Sequence, residues 1–190
     1  MSFLRFKTSN DWVTAVLEDF DTFLQDHAAA EKKASGMAVS MLSHYPDRVE
    51  LVTAMTDLAI EEMSHFKEVV KLIYERGCIL GDDQKDPYIN DFRKSFRKGT
   101  NEYFLDRLLV GGIIEARGCE RFALVGESLP AGKLKAFYEA IAASEGRHHE
   151  LFVELAEKYF EKSVVDTRLD QLLDIEAAIV ERLPIRAALH

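Results

Sequence analysis

Six residues stand out by type and spacing: Glu31, Glu62, His65, Glu115, Glu145 and His148. Two of the glutamates open Glu-x-x-His pairs, Glu62 with His65 and Glu145 with His148, and each pair interrupts an apolar stripe. Leu51, Met55, Leu58, Glu62, His65, Val69 and Leu72 recur in steps of three and four, which keeps them on one helix face. Leu134, Tyr138, Ile141, Glu145, His148, Phe152, Leu155 and Tyr159 repeat the pattern. Glu31 falls among Leu24, Ala28, Ala38 and Leu42, and Glu115 among Leu108, Gly111, Cys119 and Phe122. Acids and imidazoles therefore occupy positions where helices of this pattern put their core.

An uncompensated carboxylate in an apolar interior costs several kcal/mol, and here four converge with two imidazoles. Two divalent cations would bring four positive charges to four carboxylates and leave the cluster close to neutral. Oxygen and imidazole donors without a thiolate suit iron and manganese alike. The competing reading puts some of these glutamates on solvent faces, or pairs them with Arg117, Arg121 or Arg147. A single Glu-x-x-His carries little weight; two in register with two further inward glutamates favour metal. Register is the second argument. Glu31 precedes Glu62 by 31 residues and Glu115 precedes Glu145 by 30; Glu62 and Glu145 are 83 apart, as are His65 and His148.

Such a set needs helices to hold it, and the periodicity supplies them. No stretch alternates like a strand. A short helix opens near Asn10, with Ser9, Asn10 or Asp11 as cap. Long helices are expected over about 20–43, about 46–76 (closed by Gly77), about 100–128 and about 130–160. Residues 77–88 read as loop, 89–98 as a short basic helix closed by Gly99, and about 166–183 as a last helix stopped by Pro184. Two closely linked helix pairs joined by one long connection, 77–99, describe the ferritin-like version of the all-α four-helix bundle. One Glu from each of two helices and Glu-x-x-His from each of the others is the ligand set of ferritin-like di-iron and di-manganese proteins. The 190 residues are expected to form one such domain, 1–190.

Composition narrows the setting. Apolar residues make up 47% and charged residues 30%, the balance of an ordinary globular protein. No apolar run reaches the length of a membrane span, and the first residues lack a secretory pattern, so a cytoplasmic location is expected. Cys78 and Cys119 form neither a metal motif nor a disulfide framework. A net charge of −9 disfavours general nucleic-acid binding, so any such partner must meet a local basic patch. One exists: Arg93, Lys94, Phe96, Arg97 and Lys98 place four cations and an aromatic within six residues, a pattern that could hold phosphates and stack a base.

Neighbouring residues are read more plainly. His149 is less well centred on its stripe than His148. Glu61 is expected to be solvated or to back a ligand, and His27 and His44 to be surface or capping residues. Cys119 reads as a small core residue. Gly111, Gly112 and Gly118 are costly inside a helix, which suggests either close helix packing or space beside the metals.

The segments HAAAEKKAS (27–35), EEMSHF (61–66), GGIIEARGCERF (111–122) and ASEGRHHELFVELA (143–156) resemble the tRNA 2-methylthio-N6-isopentenyladenosine hydroxylase family. The ligand pattern is shared with ferritins, rubrerythrins and desaturases; the residues flanking Glu31, Glu115 and Glu145 point to this family. The resemblance extends over about residues 1–185. It implies two iron ions on the six positions above, O2 as co-substrate, and hydroxylation of the isopentenyl group on the hypermodified adenosine next to the anticodon. It also implies a tRNA partner and an external electron donor, since no flavin, nicotinamide or iron–sulfur motif is present. The alternatives are an iron-storage protein of ferritin type, a rubrerythrin-like peroxidase or oxidase, and a di-manganese catalase.

Overall fold

A computed structural model describes residues 3–190 and shows seven helices, with no strand among them. The first, α1 (Asn10–Glu18), is followed at once by α2 (Phe20–His44), where the Asp19 side chain accepts the Thr22 amide proton at 3.2 Å and restarts the helix. α2 stops at Tyr45, which precedes Pro46 and so disfavours helical backbone.

Helix α3 (Val49–Glu75) begins three residues later than the expected start at Pro46. Pro46 and Asp47 instead form a turn, closed by the Arg48 amide on the Tyr45 carbonyl at 3.2 Å. Gly77 ends α3 as expected: its φ of +78° allows the Cys78 amide to reach back to the Ile73 carbonyl at 3.1 Å.

The short helix is also displaced. α4 runs Pro87–Arg93 and not 89–98, because Asp86 caps the Ile89 amide at 3.2 Å and Pro87 fills the first turn. Beyond Lys94 the chain is drawn off the helical path by buried Asp106, which accepts the Arg97 amide at 2.8 Å. α5 (Thr100–Ser128) follows the expectation, and α6 (Lys133–Tyr159) starts after Pro130 and Gly132. α7 (Lys162–Arg182) begins four residues before Asp166, with the Glu161 carbonyl accepting from Val164 and Val165 at 2.9 and 3.1 Å.

The described chain groups into two compact units, with the boundary after Val13, inside α1. One comprises Thr14–Gln84 and Arg186–Leu189 and is built on α2 packed against α3. Phe23, Leu24, Ala28, Ala38 and Met41 of α2 and Leu51, Met55, Leu58, Val69 and Ile73 of α3 are buried, and Ser35 ties the helices by donating to the Ala59 carbonyl at 2.8 Å. The other holds the described residues up to Val13, Lys85–Ile185 and His190, and is built on α5 packed against α6, with α4 and α7. Here Gly111 and Gly112 let α6 come close. A Cβ at Gly111 would stand 3.0 Å from the Phe152 ring, and one at Gly112 would stand 3.1 Å from the Phe152 Cβ and 3.4 Å from the His149 carbonyl. Packing is thus what these two glycines serve.

Two buried ion networks brace this second unit. Arg117, fully buried, donates to both carboxylate oxygens of equally buried Glu176 at 2.8 and 3.0 Å and to the Phe6 carbonyl at 2.8 Å, and also pairs with Glu120. Asp106 accepts from Arg97 and from Arg168, the latter at 2.8 and 2.9 Å. Among the described residues no helix is long and apolar enough to cross a membrane.

Candidate metal centre

In the α2–α3 unit, the three-and-four spacing brings Glu31, Glu62 and His65 together. Each offers one oxygen or nitrogen, all within 4.8 Å of one another. The His65 Nδ1 lies 3.5 Å from Glu31 Oε2 and 3.7 Å from Glu62 Oε2. Both carboxylates are buried, at 3% and 1% exposure, while His65 is less so. The His65 Nε2, on the far side of the ring, is 3.9 Å from Oε1 of the partly exposed Glu61. Glu61 thus stands behind a candidate ligand, as one of its two expected roles required.

The α5–α6 unit assembles the matching set. Glu115, Glu145 and His148 also each bring one ligand atom within 4.8 Å of the others, and all three are buried. The His148 Nδ1 lies 3.8 Å from Glu145 Oε2, while its Nε2 is 3.5 Å from the buried Ser144 hydroxyl. Arg147 donates to that hydroxyl at 3.0 Å. Arg117, one of the cations considered as a partner for these acids, is taken up by Glu120 and Glu176.

The donor chemistry fits a metal ion in each unit. Two carboxylates and one imidazole carry two negative charges, which one divalent ion would balance. Two donors ~2.1 Å from a shared ion stand at most about 4.2 Å apart, and the measured spacings of 3.5–3.8 Å lie within that reach. In both units the histidine turns Nδ1 toward the carboxylates and leaves Nε2 for an outer partner, an arrangement common to metal-bound histidines.

One expectation is overturned. His27 is neither a surface nor a capping residue: it is fully buried, and its Nε2 is 2.6 Å from Glu31 Oε1. Burial, reinforced by nearby His65 and only partly offset by Glu62, lowers its pKa to about 3. Its signal was in the sequence, because His27 lies four residues before Glu31 and therefore on the same inward face. His44 meets expectation at the exposed C-terminus of α2, with Nδ1 2.7 Å from the Ser40 carbonyl.

His149 lies apart from the triad, its Nδ1 2.9 Å from the Gly112 carbonyl and its ring against Phe3. Cys119 is half-buried between α5 and α6 near Gly146; burial, then the charge of Glu145, pushes its thiol up. Within the basic run the cations differ. The Arg97 guanidinium is held by Asp106, at 2.7 Å at its closest, and Lys94 reaches Asp91 at 2.5 Å. Arg93 and Lys98 are exposed, Phe92 is buried, and Phe96 meets the Tyr103 ring edge-on.

Comparison with known proteins bears on this arrangement directly. The chain is 32% identical over 180 residues to the tRNA 2-(methylsulfanyl)-N(6)-isopentenyladenosine(37) hydroxylase of Pseudomonas putida, covering 95% of this chain and 87% of the relative. The protein of the same name from Salmonella typhimurium is 26% identical over 180 residues, covering 92% of this chain and 66% of the relative. Among solved structures, protein 43 with aldehyde deformylating oxygenase activity from Synechococcus superposes with a TM-score of 0.94 at 35% identity, covering 100% of this chain and 96% of that one. The all-α, ferritin-like fold class expected from the periodicity is thereby shown. The family model described as tRNA-(MS[2]IO[6]A)-hydroxylase (MiaE) matches residues 1–190, and the chain belongs to that family.

Proposed function

We propose that this protein hydroxylates the isopentenyl group of 2-methylthio-N6-isopentenyladenosine in tRNA, at the position next to the anticodon. In this reading Glu31, Glu62, His65, Glu115, Glu145 and His148 together hold two iron ions, three ligands coming from each unit. The observation that carries the proposal is the pair of triads, alike in residue type and in the burial of their carboxylates, in a chain that belongs to a tRNA hydroxylase family.

The reaction replaces one C–H bond of the prenyl methyl by C–OH. One atom of O2 enters the product and the other leaves as water, with two electrons and two protons from an outside donor. Bound iron would supply the activation of O2 that no side chain here can provide. The protein's own part is electrostatic and positional. Four carboxylates offset the metal charge, two imidazoles fix one donor direction each, and Leu58, Val69, Ile141 and Phe152 on the same stripes keep water from the ligands. The chain carries no segment resembling a redox cofactor motif, so a separate reductase delivers the electrons.

The substrate base must turn out of its loop at a cost of a few kcal/mol, which phosphate contacts elsewhere must repay. Arg93, Lys94, Phe96, Arg97 and Lys98 are the proposed contact region, with exposed Arg93 and Lys98 contributing most of the attraction. Such an enzyme works where its tRNA is, in the cytoplasm.

The test is incubation of tRNA bearing the unhydroxylated nucleoside with iron-loaded protein, O2 and a reductant, followed by nucleoside analysis. Gain of one oxygen atom on the prenyl group is the expected result; an unchanged nucleoside would refute the proposal. A second reading is favoured by the Synechococcus structure, as similar in sequence as the tRNA hydroxylase of Pseudomonas putida: oxygen-dependent deformylation of an aldehyde. Release of formate from an aldehyde, with tRNA unchanged, would select it.

A further inference from the structure

We infer that His27 is a positioning residue for the metal ligand Glu31, holding one carboxylate oxygen so that only the other is offered to an ion. The inference rests on the metal-binding reading above and names a device within it. His27 is fully buried on α2, one turn before Glu31, with its Nε2 2.6 Å from Glu31 Oε1. The other oxygen, Oε2, is the one turned toward the ligand-side nitrogen of His65, at 3.5 Å. The two oxygens of one buried carboxylate thus have separate tasks.

An ionised carboxylate only accepts hydrogen bonds, so the His27 ring carries its proton on Nε2 and donates it to Oε1. A short bond from a buried donor fixes the carboxylate plane and removes Oε1 from competition for the metal. Glu31 would then hold an ion through Oε2 alone. Phe23 and Leu24, a turn further back on α2, are apolar, and Phe23 packs on the His27 ring at 6.0 Å between centroids.

The full-length protein, stripped of metal, is titrated anaerobically with Fe(II) alone, and bound iron is counted by dialysis and elemental analysis while ligand-field bands are followed by circular dichroism. Wild type is expected to take two ions per chain. His27→Leu should bind one ion 10- to 100-fold more weakly, the range for loss of an outer partner of a ligand, with altered bands for that ion. His27→Gln, whose amide nitrogen falls near the position of Nε2, should restore affinity to within a few-fold. His27→Asn, equally polar but one bond shorter, should not. Rescue by Gln and not by Asn separates positioning from mere filling of space, and the two amide variants serve if the Leu variant fails to fold. Two ions bound with wild-type affinity and bands in the Leu or Asn variant would overturn this inference alone. Failure of wild type to bind two ions would overturn the metal reading and this inference with it.

Discussion

The two units carry the same three ligand types, yet they support them differently. In the α2–α3 unit, buried His27 backs a carboxylate, Glu31, and a partly exposed carboxylate, Glu61, lies behind the histidine. In the α5–α6 unit the histidine is backed by a buried hydroxyl, Ser144, itself held by the Arg147 guanidinium. A carboxylate behind an imidazole makes it a stronger donor, whereas a hydroxyl tied to a cation does not. The candidate ligands are thus symmetric in type but not in support, so two ions held as proposed are expected to differ in affinity and in their response to mutation.

The comparison breaks most severely if a ligand is removed. His65→Ala and His148→Ala should each leave no more than one iron per chain by elemental analysis, with hydroxylation undetectable. Full occupancy in either would mean that the assignment of that triad is wrong. The outer partners give a finer test. Ser144→Ala should weaken binding of one ion by about tenfold, and Glu61→Gln by less, because Glu61 is partly exposed and solvent screens its charge. A larger loss from Glu61→Gln would reverse the expected order of the two units.

A different contrast concerns charge. The basic run belongs to the α5–α6 unit, and Arg93→Glu with Lys98→Glu should weaken tRNA binding about tenfold and flatten its salt dependence while leaving iron content unchanged. Equal affinity at all salt concentrations would remove this segment from the proposal. These two residues are better probes than Arg97, whose guanidinium braces buried Asp106.

The smallest effect is on acid stability. Burial raises the Asp86 carboxyl, but the hydrogen bond and charge of His190, with the amides of Ile89 and Tyr88, outweigh it and bring it to about 2. A carboxyl held below its unfolded value stabilises the fold above about pH 4, and that contribution disappears as the pH falls toward 2. It amounts to ~2 kcal/mol. Urea melts of His190→Ala at pH 6 and pH 2 should show most of that stabilisation gone at pH 6 and little difference from wild type at pH 2.

Much of this was legible in the sequence. The six inward acids and imidazoles, and the helices that carry them, follow from periodicity, because a polar residue on an apolar stripe has few places to go. The flanking residues of Glu31, Glu115 and Glu145 pointed to the family. What periodicity did not convey was partnership. The spacing put His27 on the inward stripe one turn before Glu31, but a linear pattern does not say which of their atoms will meet. The end of α4 was misplaced for the same reason: Asp106, on the next helix, claims the Arg97 amide. Helix starts near Pro46 and Pro130 slipped by about three residues, because proline begins a turn as readily as a helix.

Helix α7 holds none of the proposed ligands. Its Glu176 is nevertheless the counter-ion for a guanidinium two positions along α5 from Glu115. A chain shortened before α7 would take Glu176 from Arg117 and leave that guanidinium to Glu120. The last turns of the protein thus underwrite the ligand-bearing helix from a distance, and a tag or truncation at the C-terminal end should be judged by what it does to that guanidinium.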